Sequence, residues 1–371
     1  MDVINDYLKY MVEKDASDIY FTVGVPASFR IDGVVSPYGD TPLTQQDTER
    51  FAYAIMNDRQ QKKFEEEMEM NLAIFHPQHG RFRVNVFRQK SFIGIVIRQI
   101  KLIINTIDDW GLPSITKDIA MSKRGLVLVV GATGSGKSTT LAAVIDHRNS
   151  NQPGHIITIE DPIEFVHQHK MSVITQREVG FDTLSFFNAL KNTLRQAPDV
   201  ILIGEIRDAE TMEDAITFAE TGHLCLATLH ANNANQAIER ILNFFPIERH
   251  LQIYMQLSLN MRAIISQRLI PTVDGKRAAA IEILLDSSRV KDLILKGEIT
   301  QLKETMADSY FEGMQTFDQH IFDMYQAGLI GYDNAIAYAD SPNDIRLKIK
   351  MAEMKPDESD DKKEPGLKFK L

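Results

Sequence analysis

The chain is poor in cysteine. Cys225, inside the apolar stretch "HLCLATL", is the only one, so no intramolecular disulfide can form, and no Cys/His cluster with zinc-ligand spacing exists. A buried structural thiol in a reducing compartment is the expectation. Long hydrophobic runs are lacking too: no segment approaches the ~20 apolar residues that span a bilayer. The first residues, "MDVINDYLKYMVEKD", carry acids throughout and do not have the pattern of a secretory leader. A basic excess is also missing. Lys and Arg number 41 against 51 Asp and Glu, a formal net charge of −10, which argues against a general nucleic-acid binder. These absences predict a cytoplasmic protein that meets a membrane only through partners.

What is present suits a soluble globular protein of two domains: 371 residues, 44% hydrophobic and 25% charged. Residues 1 to about 105 read as a small α+β domain. Val3, Ile4, Leu8 and Met11 fall near helical spacing. "DIYFTVG" and "ASFRIDGVV" read as two strands of a hairpin, and "TPLTQQDTERFAYAIM" as a helix with Thr44 and Asp47 at capping-box spacing. "RFRVNVFRQ" alternates as a strand does, and "FIGIVIRQI" follows it. The turn-rich stretch "NTIDDWGLPSI", residues 105–115, marks a linker. Beyond it "HIITIE", "DVILIGEI" and "HLCLATLH" are near-continuous apolar runs, as in buried parallel strands. Met212, Ala215, Ile216 and Ala219 make one helical face ended by Gly222. After about residue 234 "NQAIERILNFF" and "LQIYMQLSLNMRAIISQRLI" read as helical, and residues 351–371 as a charged, disordered tail.

Four motifs carry chemistry. "GATGSGKSTT" fits G-x-x-x-x-G-K-[ST], after the apolar "LVLVV" and before "TTLAAVIDH", the strand–turn–helix order of a phosphate-binding P-loop. Gly131, Gly134 and Gly136 let the backbone close on phosphates, with Ala132, Thr133, Ser135 and Thr139 in the same wrap. By analogy with other P-loops, Lys137 neutralises the β- and γ-phosphates of ATP and Ser138 ligates Mg²⁺. "PDVILIGEIRD" ends an apolar strand in Glu205, at the ligand-facing end of an α/β sheet, with Gly204 where many P-loop proteins carry Asp. "IITIEDPIEF" follows a strand with Glu160, Asp161 and Glu164, a crowding that makes sense around Mg²⁺ and water, or else an acidic surface turn. "TGHLCLATLHANNA" puts His223 and His230 at opposite ends of one strand, ~20 Å apart, too far to share a metal. One could touch phosphate, or either could simply pack at a strand end.

In this order the four motifs resemble the secretion ATPase superfamily of type II and type IV pilus machines, and within it the PilT/PilU family of pilus-retraction ATPases. "GATGSGKSTTLAA" is similar to its Walker A, "ITIEDPIEFVH" to its Asp box, "LIGEIRDAET" to its Walker B and "TGHLCLATLH" to its His box. "ASDIYFTVGVPASFRIDG" is similar to its N-terminal signature, with Tyr20 where a His is usual. The likeness covers roughly residues 1–345. It implies an α/β protein with a PAS-like N-terminal domain (1–104), the linker at 105–115, and a RecA-like P-loop ATPase domain (116–350) with a helical C-terminal part. It further implies a homohexamer that hydrolyses ATP and turns an inner-membrane pilus platform protein, at the cytoplasmic face of that membrane. By the same resemblance Glu164 is the general base, Glu205 supports Mg²⁺, and His230 belongs to the nucleotide site. Arginines of the N-terminal domain reach the nucleotide; Arg81, Arg83, Arg88 and Arg98 are available, and the sequence does not choose among them. The family's "AIRNLIRE" motif corresponds here to "RVKDLILK", Arg289–Lys296. That change and the charged tail look more like the PilU branch, an accessory ATPase working beside a paralogous retraction ATPase. The alternative is a weakly hydrolysing adaptor that supports that paralogue.

Overall fold

The computed structural model describes residues 2–100 and 103–354; the tail expected at 351–371 lies, from residue 355 onward, outside the described residues. Strands in chain order are β1 (Asp18–Phe21), β2 (Ser28–Ile31), β3 (Val34–Pro37), β4 (Glu69–His76), β5 (Gly80–Gln89), β6 (Phe92–Gln99), β7 (Gly125–Val130), β8 (Gly154–Glu160), β9 (Ser172–Glu178), β10 (Val200–Ile203), β11 (Leu224–Leu229), β12 (Met261–Pro271) and β13 (Arg277–Leu285). By packing, the chain divides into two compact units. Among the described residues, one holds those of 1–106 and 142–205, the other those of 107–141 and 206–354.

In the first unit the N-terminal sheet is antiparallel, in the order β3-β2-β1-β6-β5-β4. Its alternating strands bury one face: Phe82, Val84 and Val86 of β5 are fully enclosed while Arg81, Arg83 and Asn85 face outward. The expected first helix forms over Asn5–Glu13 and buries Leu8 and Met11, with Ile4 behind them; Val3 points out instead, 37% exposed. The expected strand "ASFRIDGVV" is two strands, because Asp32 and Gly33 both take positive φ and turn the chain into a second hairpin. The helix Gln45–Ile55 starts in the anticipated capping box, Thr44 and Asp47 each bonding the other's backbone N–H. Strands β10, β8 and β9 of the same unit pair in parallel.

The second unit is built on β13-β12-β7-β11, with β7 parallel to both β12 and β11 and β13 antiparallel at the end. All residues of β7 and β11 are buried, Cys225 among them, where burial pushes its thiol well above the ordinary range. The helix Ala209–Glu220 buries the expected Met212, Ala215, Ile216 and Ala219. The largest departure from expectation lies at 250–285. The helix there ends at Asn260, and "MRAIISQRLI" is strand β12, which returns as β13. The run is buried continuously from Ala263 to Gln267, so burial there has no period to distinguish helix from strand, and the paired Ile264 and Ile265 favour the pleated form once β7 is available as a neighbour. The expected helix in "NQAIERILNFF" forms over Ala234–Leu242 and another over His250–Asn260; after the β12–β13 hairpin, helices resume from Ser288. The structure is thus a mixed α/β protein with parallel sheet around a P-loop.

Candidate functional site

In the second unit β7 ends at Val130 and the chain wraps through residues 131–136 into the helix Lys137–Asn151. The wrap is too tight for side chains at its two ends. A Cβ on Gly131 would lie 2.4 Å from Ser135 Oγ and 2.5 Å from the Gln267 carbonyl oxygen, and one on Gly136 would lie 2.8 Å from Gln267 Nε2. Lys137, buried, arches back and donates to the carbonyls of Gly131 (2.8 Å) and Ala132 (2.9 Å), which holds its ammonium over the loop. The Ser135 hydroxyl is buried and has no protein partner, a donor that a bound oxyanion would satisfy. Ser138 is exposed at the start of the helix, and Thr139 beside it is half-buried. Ala132, Thr133, Gly134 and Ser135 form one wall of a cavity of about 590 Å³, with Gln267, Arg268 and Arg277 opposite. A second cavity, about 320 Å³, opens behind Gly136 and Thr139 and is lined by Trp110, Leu269 and Arg277. His230, half-buried, immediately follows β11 in this unit, and His223 precedes the strand, its ring nitrogen bonding the Phe218 carbonyl.

The acids belong to the first unit. Glu160 ends β8, half-buried. Desolvation pushes its carboxyl up to about 7, opposed by hydrogen bonds from Thr158 (2.6 Å) and Gln176 (3.2 Å) and reinforced by the charges of Glu164 and Glu178. The next bond, Asp161–Pro162, is cis, and Glu164 is exposed two residues beyond it. Glu205 is half-buried just past β10. A side chain on Gly204 before it would be tight: its Cβ would sit 3.1 Å from Glu160 Cα and 3.2 Å from the Ile159 carbonyl oxygen, so the β8 backbone would have to give by a few tenths of an ångström.

The candidate arginines are held by acids of the same unit. Arg81 and Arg83 point from β5 to Glu178 at the end of β9, at 3.4 and 2.8 Å. Glu178 is buried, so desolvation raises its carboxyl, and the two guanidiniums oppose that rise. Arg98, on β6, pairs with buried Asp18 at 2.8 Å, a bond that raises its already high pKa, and the charge of Glu164 raises it further. The structure therefore brings Glu164 within electrostatic reach of Arg98, while Arg81 and Arg83 share Glu178. Arg88 instead meets Glu65 at 3.8 Å.

Three residues of this architecture escape a reading of motifs. Gln267 closes the phosphate loop from below, Glu178 gathers two arginines, and Trp110 lines the second cavity. For the first two the available signal is a polar side chain placed within a strand: Gln267 in "AIISQRLI" and Glu178 closing "SVITQRE".

A buried strand, a glycine wrap with lysine across its mouth and a helix leaving at once define a P-loop nucleotide-binding protein. Residues 1–309 match the family model described as "Type II/IV secretion system protein". The chain is 56% identical over 345 residues to the type IV pilus ATPase PilU of Pseudomonas aeruginosa, covering 93% of this chain and 90% of that one. It is 41% identical to the pilus retraction ATPase PilT of the same organism, covering 92% and 99%. Among solved structures, a crystal structure of the retraction motor PilT with bound ADP superposes with a TM-score of 0.87 at 40% identity, covering 93% of this chain and 99% of that one. The ATPase DotB of Legionella pneumophila gives 0.73 at 26%, covering 94% and 96%. The chain belongs to the type II/IV secretion ATPase family, in its PilT/PilU group of type IV pilus retraction ATPases.

Proposed function

We propose that the protein is a ring-forming ATP-driven motor that powers or assists type IV pilus retraction as a PilU-like accessory ATPase. The observation that carries this reading is the phosphate cradle: Gly131 and Gly136 leave no room for a Cβ, Lys137 spans the loop, and the Ser135 hydroxyl has no protein partner. In this reading ATP places its phosphates on Gly131–Thr139, Lys137 offsets their charge, and His230 completes the phosphate contacts. Glu164 takes the proton of the attacking water, a role typically worth ~10²–10⁴-fold. Arg81, Arg83 and Arg98 supply positive charge to the transition state. The Ser138 hydroxyl and the Glu205 carboxylate are hard oxygen donors of the kind Mg²⁺ takes, and they would hold it. When bound, Mg²⁺ neutralises charge building on the phosphates.

The domain plan belongs to the same proposal. Residues 1–104 act as a PAS-like domain, 105–115 as the linker and 116–350 as a RecA-like motor domain, six copies forming the ring. Nucleotide-dependent closure about the linker would be passed to a platform protein at the cytoplasmic face of the inner membrane. The family relationship supports the pilus assignment.

The test is ATP hydrolysis by the purified protein across a range of concentrations, beside Lys137→Ala and Glu164→Ala. Turnover that rises with assembly and disappears in both variants is the expected result. An assembled wild type without turnover would replace the motor with an adaptor that supports a paralogous retraction ATPase. In that case deleting Pro356–Leu371 should abolish binding to the paralogue.

A further inference from the structure

We infer that Gln267 is a positioning residue that sets the shape of the phosphate loop through its side-chain amide; the inference rests on the nucleotide-binding reading above. Strand β12 runs parallel to β7 with Ser266 beside Val130, so Gln267 lies next to the point where the chain leaves the sheet. Its side chain is 4% exposed and both ends of the amide are used. Nε2 donates to the Ser135 carbonyl at 2.7 Å, and Oε1 accepts from the Thr140 hydroxyl at 2.6 Å. One amide thus ties the middle of the loop to the first turn of the helix that follows it.

The consequence follows from peptide geometry. In a trans peptide the C=O and the following N–H point in opposite directions. Drawing the Ser135 carbonyl onto Gln267 therefore turns the N–H of Gly136 away from Gln267, toward the inner side of the wrap where phosphate oxygens would bind. Fixing Thr140 orients the first turn of the helix, the source of the remaining N–H donors. Glutamine suits the task and glutamate does not: a carboxylate cannot donate to a carbonyl, and it would place negative charge under a polyphosphate. The neighbouring residue keeps the strand in register. Arg268 faces the other way, donates to the Tyr338 carbonyl and to Asp340 at 2.8 and 2.7 Å, and lies over the Phe317 ring at 3.6 Å.

The experiment measures the affinity of full-length wild type, Gln267→Met, Gln267→Glu, Thr140→Val and the Gln267→Met/Thr140→Val double variant for a fluorescent ADP analogue. Steady-state kcat, KM and unfolding midpoints are recorded alongside. Gln267→Met should weaken binding about tenfold and Gln267→Glu more, with KM rising while midpoints stay near wild type. Thr140→Val should lose about three- to fivefold, and the double variant should bind no worse than Gln267→Met, because one clamp cannot be broken twice. Binding within about twofold of wild type in Gln267→Met, or losses that multiply in the double variant, would overturn the inference. If Gln267→Met unfolds, Thr140→Val decides alone: a folded variant with unchanged affinity sinks the clamp. A wild type that binds but does not hydrolyse defeats the motor reading and leaves this comparison intact. A wild type that binds no nucleotide defeats both.

Discussion

Arg83 Nη2 lies 2.8 Å from Glu178 Oε1, joining β5 of the N-terminal sheet to the end of β9. The carboxylate is 2% exposed at its side chain and the guanidinium 32%, so the pair is buried on one side and wet on the other. Removing the arginine leaves a buried charge with only Arg81, at 3.4 Å, to answer it. Breaking a fully buried pair costs roughly 3–5 kcal/mol; allowing for the solvent around Arg83, Arg83→Ala should cost about 1–3 kcal/mol. Glu178→Gln should cost less, and adding it to Arg83→Ala should restore part of the loss. Denaturant unfolding of the two single variants and the double variant checks this. Additivity to within ~0.3 kcal/mol would mean that the contact does not couple the two elements.

Gly204 precedes Glu205 where many P-loop proteins carry an acid, and the structure gives a packing reason. A Cβ there would meet backbone of β8, at 3.1 Å from Glu160 Cα and 3.2 Å from the Ile159 oxygen, and neither atom can rotate away as a side chain would. Gly204→Asp should therefore destabilise by about 1–3 kcal/mol, the usual cost of forcing atoms into a packed site. Gly204→Ala should show nearly the same loss, because the clash begins at Cβ. Thermal unfolding decides: an alanine variant as stable as wild type would show that the strand yields freely.

These two cases also mark what a linear reading reaches. The P-loop was legible because its loop residues, lysine and helix start are consecutive, and the Thr44–Asp47 capping box because it is closed within one turn. The helix–strand boundary at Asn260 was not, since a stretch buried without a break, as from Ala263 to Gln267, shows no periodicity. Gln267 meets Ser135 across 132 residues of sequence, and Glu178 meets Arg83 across 95. Such pairs are made by sheet order. A glutamine buried in a strand signals that a partner exists without saying which.

Glu160 should make stability depend on pH. Burial lifts its carboxyl from the ordinary 4.5 to about 7, so the folded protein prefers the neutral acid. The sign follows: its contribution is fully present below pH 4.5, where both folded and unfolded chains hold the proton. It is lost as pH rises toward 7, because the unfolded chain ionises first. The loss by pH 8 is on the order of 3 kcal/mol. Glu160→Gln stays neutral, so it should be more stable than wild type at pH 8 and similar to it near pH 4. Denaturant unfolding at both values checks this; an equal difference at the two would show that the Glu160 proton is not linked to folding.

Trp110, the only tryptophan of the chain, is a built-in reporter of the second cavity. Its side chain lines the space behind Gly136 and Thr139 together with Leu112, Leu269 and Arg277, a slot of mixed lining to which Thr140 and Gln267 also contribute. A flat aromatic ring entering that slot would pack against the indole, a contact worth about 0.5–1.5 kcal/mol beyond the area it buries. ADP added to the wild type should change tryptophan emission with the same midpoint as its binding measured by calorimetry, and Lys137→Ala should shift both midpoints upward together. Trp110→Ala should weaken ADP about three- to tenfold. It should weaken inorganic triphosphate, which carries no base, hardly at all. Equal weakening of both ligands would place the indole's effect on the loop rather than on the base. Saturating ADP without any change in emission would mean that the nucleotide leaves the Trp110 slot untouched.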